Sequence, residues 1–572
     1  MPSLLERAHA LTPAVIALPA AVGVALTLGQ ILTTRYPDLG WGQAIVHDGK
    51  ALATGTAIYA DPEQQYTGML YAPLFPVLLA PLYRIFWWDG WGLLLNVLAG
   101  TGLGVLVGGV AATGHAHRRW IRIVGGVGVG GTAFWIVSTC HWNVLFSPRG
   151  DGLAWLFALL GLCVLALGVA RKWTHAWPAV LLLTAALWTK QTTVGAVLAA
   201  VLMTSWWAAA GTMPWRTWRR FVGGVVVANG LILTALMVLT DGWLWYFFFD
   251  LPARHYSDPA IAPYLSELAR LLAIPVVVVV LAGGAVWQAR RSAPSPRSVE
   301  FATLLAGLLV AFLVLQLAPS FLGRRKQGGG PNHYVGMMWA LGLLLALAHR
   351  EAQRSRRAMA AGIVAYALLA SIALIPPVRE AVTRARVVEP VAVPHRDVGE
   401  VDPVVIEYAR SHLVFDSSTG VVSPTQTDEV WPPLGNLSDQ LAAGESPGYL
   451  LDALIERRFD AVTHYSILAA AYVSRSGRTS EGYLPAVNLL IDAGYAPGAN
   501  GAPPPFLGRR PGEIDLTWAR RCFTADRPAR CVDAGLENTA SIRPVARPRT
   551  AFQISPTPSD RRLTPWRGAL RV

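Results

Sequence analysis

The stretch Arg35–Trp88 reads RYPDLGWGQAIVHDGKALATGTAIYADPEQQYTGMLYAPLFPVLLAPLYRIFWW. It follows the first long apolar segment of the chain. It mixes the carboxylates Asp38, Asp48, Asp61 and Glu63 with aromatic residues, then enters an apolar run interrupted by Pro73, Pro76 and Pro81. A soluble protein has no obvious use for this order. It suits polar groups held at a lipid surface beside a hydrophobic slot. Each proline removes a backbone donor that lipid cannot replace, so Tyr71–Phe86 is expected as a broken helix at the surface or re-entering partway.

The rest of the chain agrees with a membrane setting. Its 572 residues are 53% hydrophobic and 15% charged, with mean hydropathy +0.40. An average soluble domain carries roughly 25% charge. Apolar segments of bilayer-crossing length recur through the first two-thirds. Spans are expected near 12–33, 91–112, 122–142, 152–170, 176–190, 192–210, 221–240, 269–288, 301–320, 334–348 and 359–376. The first is too long for a signal-peptide core and lacks a small-residue cleavage site, so it is read as retained. The expected fold is an all-α polytopic membrane domain over 1–376, with juxtamembrane helices in the first outer loop. A small extracytoplasmic α/β domain with an irregular tail is expected over 377–572.

Charge orients these spans. With the N-terminus cytoplasmic, the inner ends carry 16 basic residues against Glu6, Glu300 and Glu351. The outer loops carry ten of each sign and the segment after Pro377 carries 22 of each. The formal net charge of +13 therefore lies on one face, as the positive-inside rule requires. Counting Tyr71–Phe86 as a full span would invert every later loop. The basic character reflects topology, and nucleic acid is not an expected partner.

After Pro377 the composition changes to that of a soluble domain. A capped helix start at Asp402-Pro403, a strand in His412–Ser418, a helix over Pro447–Arg458 leading into FDAVTHYS, and a helix over Tyr483–Asp492 suggest α/β structure. An oxidising compartment would favour a disulfide between Cys522 and Cys531, whereas Cys140 and Cys163 read as buried thiols near spans. No CxxC or HxxxH metal spacing occurs.

The polar residues on the expected outer face are few. Asp38 could cap a helix, or take a proton at the membrane edge. Asp48 lies ten residues on, about three helical turns, and reads either as a second candidate base or as a solvated carboxylate. The chain has only four lysines, Lys50, Lys172, Lys190 and Lys326. Lys190, in ALWTKQTT, interrupts an apolar run. An intramembrane charge is costly, so it is a functional candidate against simple snorkelling. Lys326 sits with Arg324 and Arg325 before Gly328–Gly330, a combination that could wrap a phosphate or attract anionic headgroups. Asn332, His333 and Tyr334 follow at the mouth of the next span. Arg149 and Asp151, in SPRGDGLAW, could cap that helix and pair with each other.

The order of these features resembles the GT-C glycosyltransferase superfamily, which includes protein O-mannosyltransferases, lipid A aminoarabinose transferases and actinobacterial mannosyl- and arabinosyltransferases. The resemblance rests on Asp38 after the first span, then GKALATGTAIY and YAPLFPVLLAPLYRIF, SPRGDGLAWLFALLGL, LWTKQTTVGAVLAAV, and GGGPNHYVGMMWALGLLLA. It covers residues 12–350. Many members carry paired acids after the first span, whereas Leu39 follows Asp38 here. The resemblance implies a polyprenyl-phosphate sugar donor and a cell-envelope acceptor (a glycan, glycolipid or protein) at the outer face of a bacterial plasma membrane. It implies inversion at the sugar carbon with Asp38 as base, phosphate contacts from Lys190, Lys326 and neighbouring arginines, and a lipid groove near Tyr71–Phe86. It implies no obligatory cofactor and leaves room for a divalent metal. A transporter or flippase for a lipid-linked substrate, or a non-catalytic envelope scaffold, is the competing reading. A transporter built from repeats should show a second Pro-broken segment in the later half, and none is seen.

Overall fold

In the computed structural model, the described residues are 4–33, 41–60, 71–86, 88, 90–113, 119–140, 148–254, 259–291, 301–326, 331–353, 356 and 358–364. Short pieces between 414 and 511 are also described. The N-terminal part is a multi-pass helical membrane protein. Its helices are α1 (Leu4–Thr33), α2 (Trp41–Thr54), α3 (Leu74–Ile85), α4 (Trp91–Ala112), α5 (Arg119–Cys140), α6 (Asp151–Ala170) and α7 (Trp177–Thr189). They continue with α8 (Val194–Ala209), α9 (Trp215–Leu239), α10 (Ala262–Arg291), α11 (Phe301–Arg325) and α12 (Val335–Ala352). Among the described residues, five helices are long and apolar enough to cross a membrane: α4, α6, α8 with its preceding turn, α9 and α11.

Helix α3 differs from the broken element expected of Tyr71–Phe86. It is one helix of 12 residues, capped at its start by Pro73. The reason lies in where the prolines fall. The first turn of a helix has no use for its N–H groups, so Pro73 and Pro76 cost nothing there. Only Pro81 lies inside. At about 1.5 Å per residue, neither α2 nor α3 reaches across the roughly 30 Å of a bilayer core. They pack on each other instead. Gly49 lets them meet, because a Cβ there would stand 2.8 Å from the Leu79 Cβ. From α3, Arg84 Nε donates to the Ala53 carbonyl at 3.0 Å and so satisfies one open end of α2.

Small residues also set the closest approach between spans. Gly104 and Gly108 on α4 face Gly126 and Gly130 on α5, and a Cβ on Gly130 would meet the Gly104 carbonyl oxygen at 2.3 Å. Two small-xxx-small stripes therefore let the backbones touch, the usual source of helix association in lipid. Behind this pair a core forms around Trp155, Phe312 and Trp339, with Trp155 and Phe312 edge-on at 6.0 Å. A polar clamp joins α7 to α9: Trp188 Nε1 donates to Asn229 Oδ1 at 3.0 Å, and Asn229 Nδ2 donates to Thr184. Cys163 is a buried free thiol.

In the C-terminal part the described strands are β1 (Val414–Asp416), β2 (Val421–Val422), β3 (Ala461–Thr463), β4 (Tyr495–Pro497) and β5 (Phe506–Arg509). They form one mixed sheet in the order β2-β1-β3-β5-β4, with β1 and β3 parallel and the other pairs antiparallel. β1 falls inside the segment His412–Ser418 read as a strand from the sequence, and β3 inside the FDAVTHYS segment that follows the expected helix. The helix starting at Asp402, the helix over Tyr483–Asp492, Cys522 and Cys531 lie outside the described residues, as does most of Pro447–Arg458.

The charge asymmetry gives a topology test. A reporter active only outside the cytoplasm should be active when fused after Glu400 and silent when fused after Arg291 at the end of α10. The opposite pattern would invert the assigned orientation.

Candidate active site

Several helix ends converge on one cleft. It is lined by Ile45 of α2, by Tyr71, Ala72 and Phe75 at the start of α3, and by Arg149–Asp151 at the start of α6. Thr189 and Lys190 at the end of α7 and Asn332 complete it, around an open volume of about 390 Å³. Five residues nominated from the sequence, Tyr71, Arg149, Asp151, Lys190 and Asn332, thus share one place although the chain separates them widely.

The centre of the cleft is an ion pair. Lys190 Nζ donates to Asp151 Oδ1, and the two residues are 5% and 3% exposed. Asn332 Nδ2 donates to the same oxygen at 3.3 Å. The local sequence explains the placement of each. Asp151 begins α6, where a carboxylate meets the positive end of the helix, and Lys190 closes α7, where an ammonium meets the negative end. Asn96 of α4 holds α6 in register by accepting from the Gly152 amide at 2.7 Å. The Tyr71 ring lies 5.9 Å from the Lys190 ammonium, within cation–π range. Asp151 thus bonds to Lys190 and Asn332, and the Arg149 charge, the alternative partner read from the sequence, also acts on it. A helix-start carboxylate takes whichever cation the packing brings to it. Arg149 borders the cleft, and its buried Nε finds no hydrogen-bond partner among the described residues.

The other nominated cations are engaged elsewhere. Arg324 forms an ion pair with Glu267 at 2.8 Å and lies 5.1 Å from the Tyr264 ring. Arg325 lies over Phe321 of its own helix. Lys326 Nζ donates to the Pro252 carbonyl, and partial burial lowers its pKa. His333 packs on Gly323. Burial, with Lys190 adding to it, pushes the His333 pKa down to about 3, so its ring is neutral at physiological pH. Tyr334 is fully buried at the start of α12.

Asp48 is not the solvated carboxylate that its sequence neighbours allowed. It is 7% exposed on α2, and burial raises its pKa from 3.8 to about 8. Its charge in turn adds to the burial that pushes Tyr59 upward. Tyr59 donates its hydroxyl to the Tyr71 carbonyl and so fixes the residue that covers Lys190. Because Asp48 holds its proton more tightly when folded, the stability it contributes is full below pH 4 and is lost as pH rises toward 8. Asp48→Asn should flatten that loss. Its melting temperature should change less between pH 6 and pH 9 than that of the unmodified protein, and equal slopes would remove the burial argument.

Asp38 lies outside the described residues. Among the described residues no three His, Cys, Asp or Glu side chains converge as a metal donor set. The one carboxylate in the cleft, Asp151, is committed to Lys190.

No family model matches the chain, and no curated protein matches it. Among solved structures it is similar to ArnT from Cupriavidus metallidurans, crystallised with undecaprenyl phosphate. The identity is 17%, the TM-score 0.39, and the alignment covers 59% of this chain and 60% of that one. The chain thus spans less than two-thirds of the length of ArnT.

Proposed function

We propose that this protein is a GT-C-type glycosyltransferase that moves a sugar from a polyprenyl-phosphate donor to a cell-envelope acceptor at the outer face of the membrane. The observation that carries the reading is the cleft itself. A buried ammonium–carboxylate pair and a guanidinium whose buried Nε makes no hydrogen bond among the described residues stand beside the apolar start of a helix too short to span. A lipid phosphate has matching chemistry, with a charged head for Arg149 and Lys190 and an apolar chain for the Phe75 side.

In this reading Arg149 meets the phosphate through its Nε, which makes no hydrogen bond among the described residues. Lys190 shares its charge between Asp151 and the incoming phosphate as bond cleavage places more charge on the leaving group. Asp151 and Asn332 hold Lys190 and a sugar hydroxyl in place. Asp38 takes the proton of the acceptor hydroxyl as it attacks the anomeric carbon, and the sugar–phosphate bond breaks with inversion. Asp48 is the weaker base, since it already holds a proton near neutral pH. Lys326 and Arg324, paired elsewhere, act at the edge of the site. The 377–572 portion is proposed as a small extracytoplasmic α/β domain.

The test is transfer of labelled sugar from polyprenyl-phosphate sugar by the purified protein in detergent. Movement of the lipid across vesicles without any transfer would support the transporter reading in its place.

A further inference from the structure

We infer that Gln316 is a positioning residue that sets the geometry of the Lys190–Asp151–Asn332 cluster without touching it. Gln316 lies within α11 and is fully buried. Its Nε2 donates to the Thr192 carbonyl at 2.8 Å and to Ser320 Oγ at 3.0 Å. Ser320 Oγ in turn donates to the His333 carbonyl at 2.7 Å. Thr192 belongs to the 3₁₀ turn Gln191–Thr193, which begins directly after Lys190. His333 belongs to the 3₁₀ turn Pro331–Tyr334, which carries Asn332. Gln316, directly and through Ser320, therefore ties the turn that follows Lys190 to the turn that carries Asn332, the two residues that meet on Asp151 Oδ1.

The choice of residue supports a fixed spacing over simple filling. A buried amide in an apolar helix is costly; here Nε2 makes two hydrogen bonds, while Oε1 finds no partner among the described residues, so the Nε2 bonds carry the choice of residue. An apolar residue of the same size would pack α11 without that cost. The fit is tight on the other side as well: a Cβ on Gly195 would stand 2.4 Å from Gln316 Oε1. The turn after Lys190 is further closed by Thr193 Oγ1, which donates to the Lys190 carbonyl at 2.9 Å. The Lys190 backbone is thus held by its own turn, and that turn is held by Gln316.

The role of the cluster in catalysis rests on the proposed function, but the bracket can be tested without it. The chain has four lysines, so an amine-acylating reagent read by peptide mass spectrometry reports Lys190 against Lys50, Lys172 and Lys326. In purified Gln316→Met, labelling of Lys190 should rise about fivefold. That is the shift in a local opening equilibrium expected when the one hydrogen bond to the Lys190 turn, from Gln316 Nε2 to the Thr192 carbonyl, is lost. The other three lysines should stay at wild-type rates. Ser320→Ala, which cuts the link to His333 and one of the two bonds of Gln316 Nε2 but spares the bond to Thr192, serves if Gln316→Met does not fold, and a Lys190-specific rise is again expected. Unchanged Lys190 labelling, or an equal rise at all four lysines, would overturn the inference. In a protein that transfers sugar, Gln316→Met should also cost nothing further in a Lys190→Met background, whereas additive losses would mark an unrelated packing role. Absence of transfer beside a Lys190-specific rise would sink the proposed reaction and leave the bracket standing.

Discussion

Lys190→Met should cost both stability and transfer, and the double variant Asp151→Asn/Lys190→Met should recover only the first. The single change leaves Asp151 as a buried carboxylate without its cation. Breaking a buried pair from one side is expected to cost roughly 3–5 kcal/mol. Asp151→Asn alone strands the ammonium in the same way. With both charges gone, the cluster is neutral and close in size to the original, so its melting temperature should return to near the unmodified value. Transfer should stay low, because the phosphate has lost a charge-assisted contact worth on the order of 1.5–3 kcal/mol, or about ten- to a hundredfold in rate. Measuring melting and transfer on the same three preparations separates the two roles. A stable double variant with full transfer would make the pair a purely structural feature.

Asp38→Asn is expected to fold and bind donor while its transfer rate falls by roughly 10²–10⁴. Asparagine caps a helix about as well as aspartate, so a capping role predicts near-normal transfer. The matched control is Asp48→Asn. Burial holds the Asp48 carboxyl protonated near neutral pH, and asparagine is close to that neutral acid in shape and polarity. At pH 7 the control should therefore retain most of its transfer. An active Asp38→Asn protein beside an inactive Asp48→Asn one would hand the role of base to Asp48.

The sequence by itself determined the helices. Apolar runs bounded by Gly, Pro and charge placed α4 at Trp91–Ala112 and put α6, α8, α9 and α11 close to where they stand. These are local properties, because hydropathy, propensity and capping act within a few turns. Even the misjudged α3 followed a local rule, applied without allowing for the first turn of a helix, where proline is tolerated. The sequence also nominated Tyr71, Arg149, Asp151, Lys190 and Asn332, because polar groups at the ends of apolar runs are rare. It could not show that they meet. Asp151 and Lys190 are 39 residues apart, and Asp151 and Asn332 are 181 apart. Only the packing of helices, down to backbone contact between Gly104 and Gly130, decides which ends become neighbours. Tertiary structure likewise buried Asp48 and the Nε of Arg149. It also gave Gln316 its two distant turns. A side chain's partner and its solvation are properties of the space around it, and that space is built by segments far away in the chain.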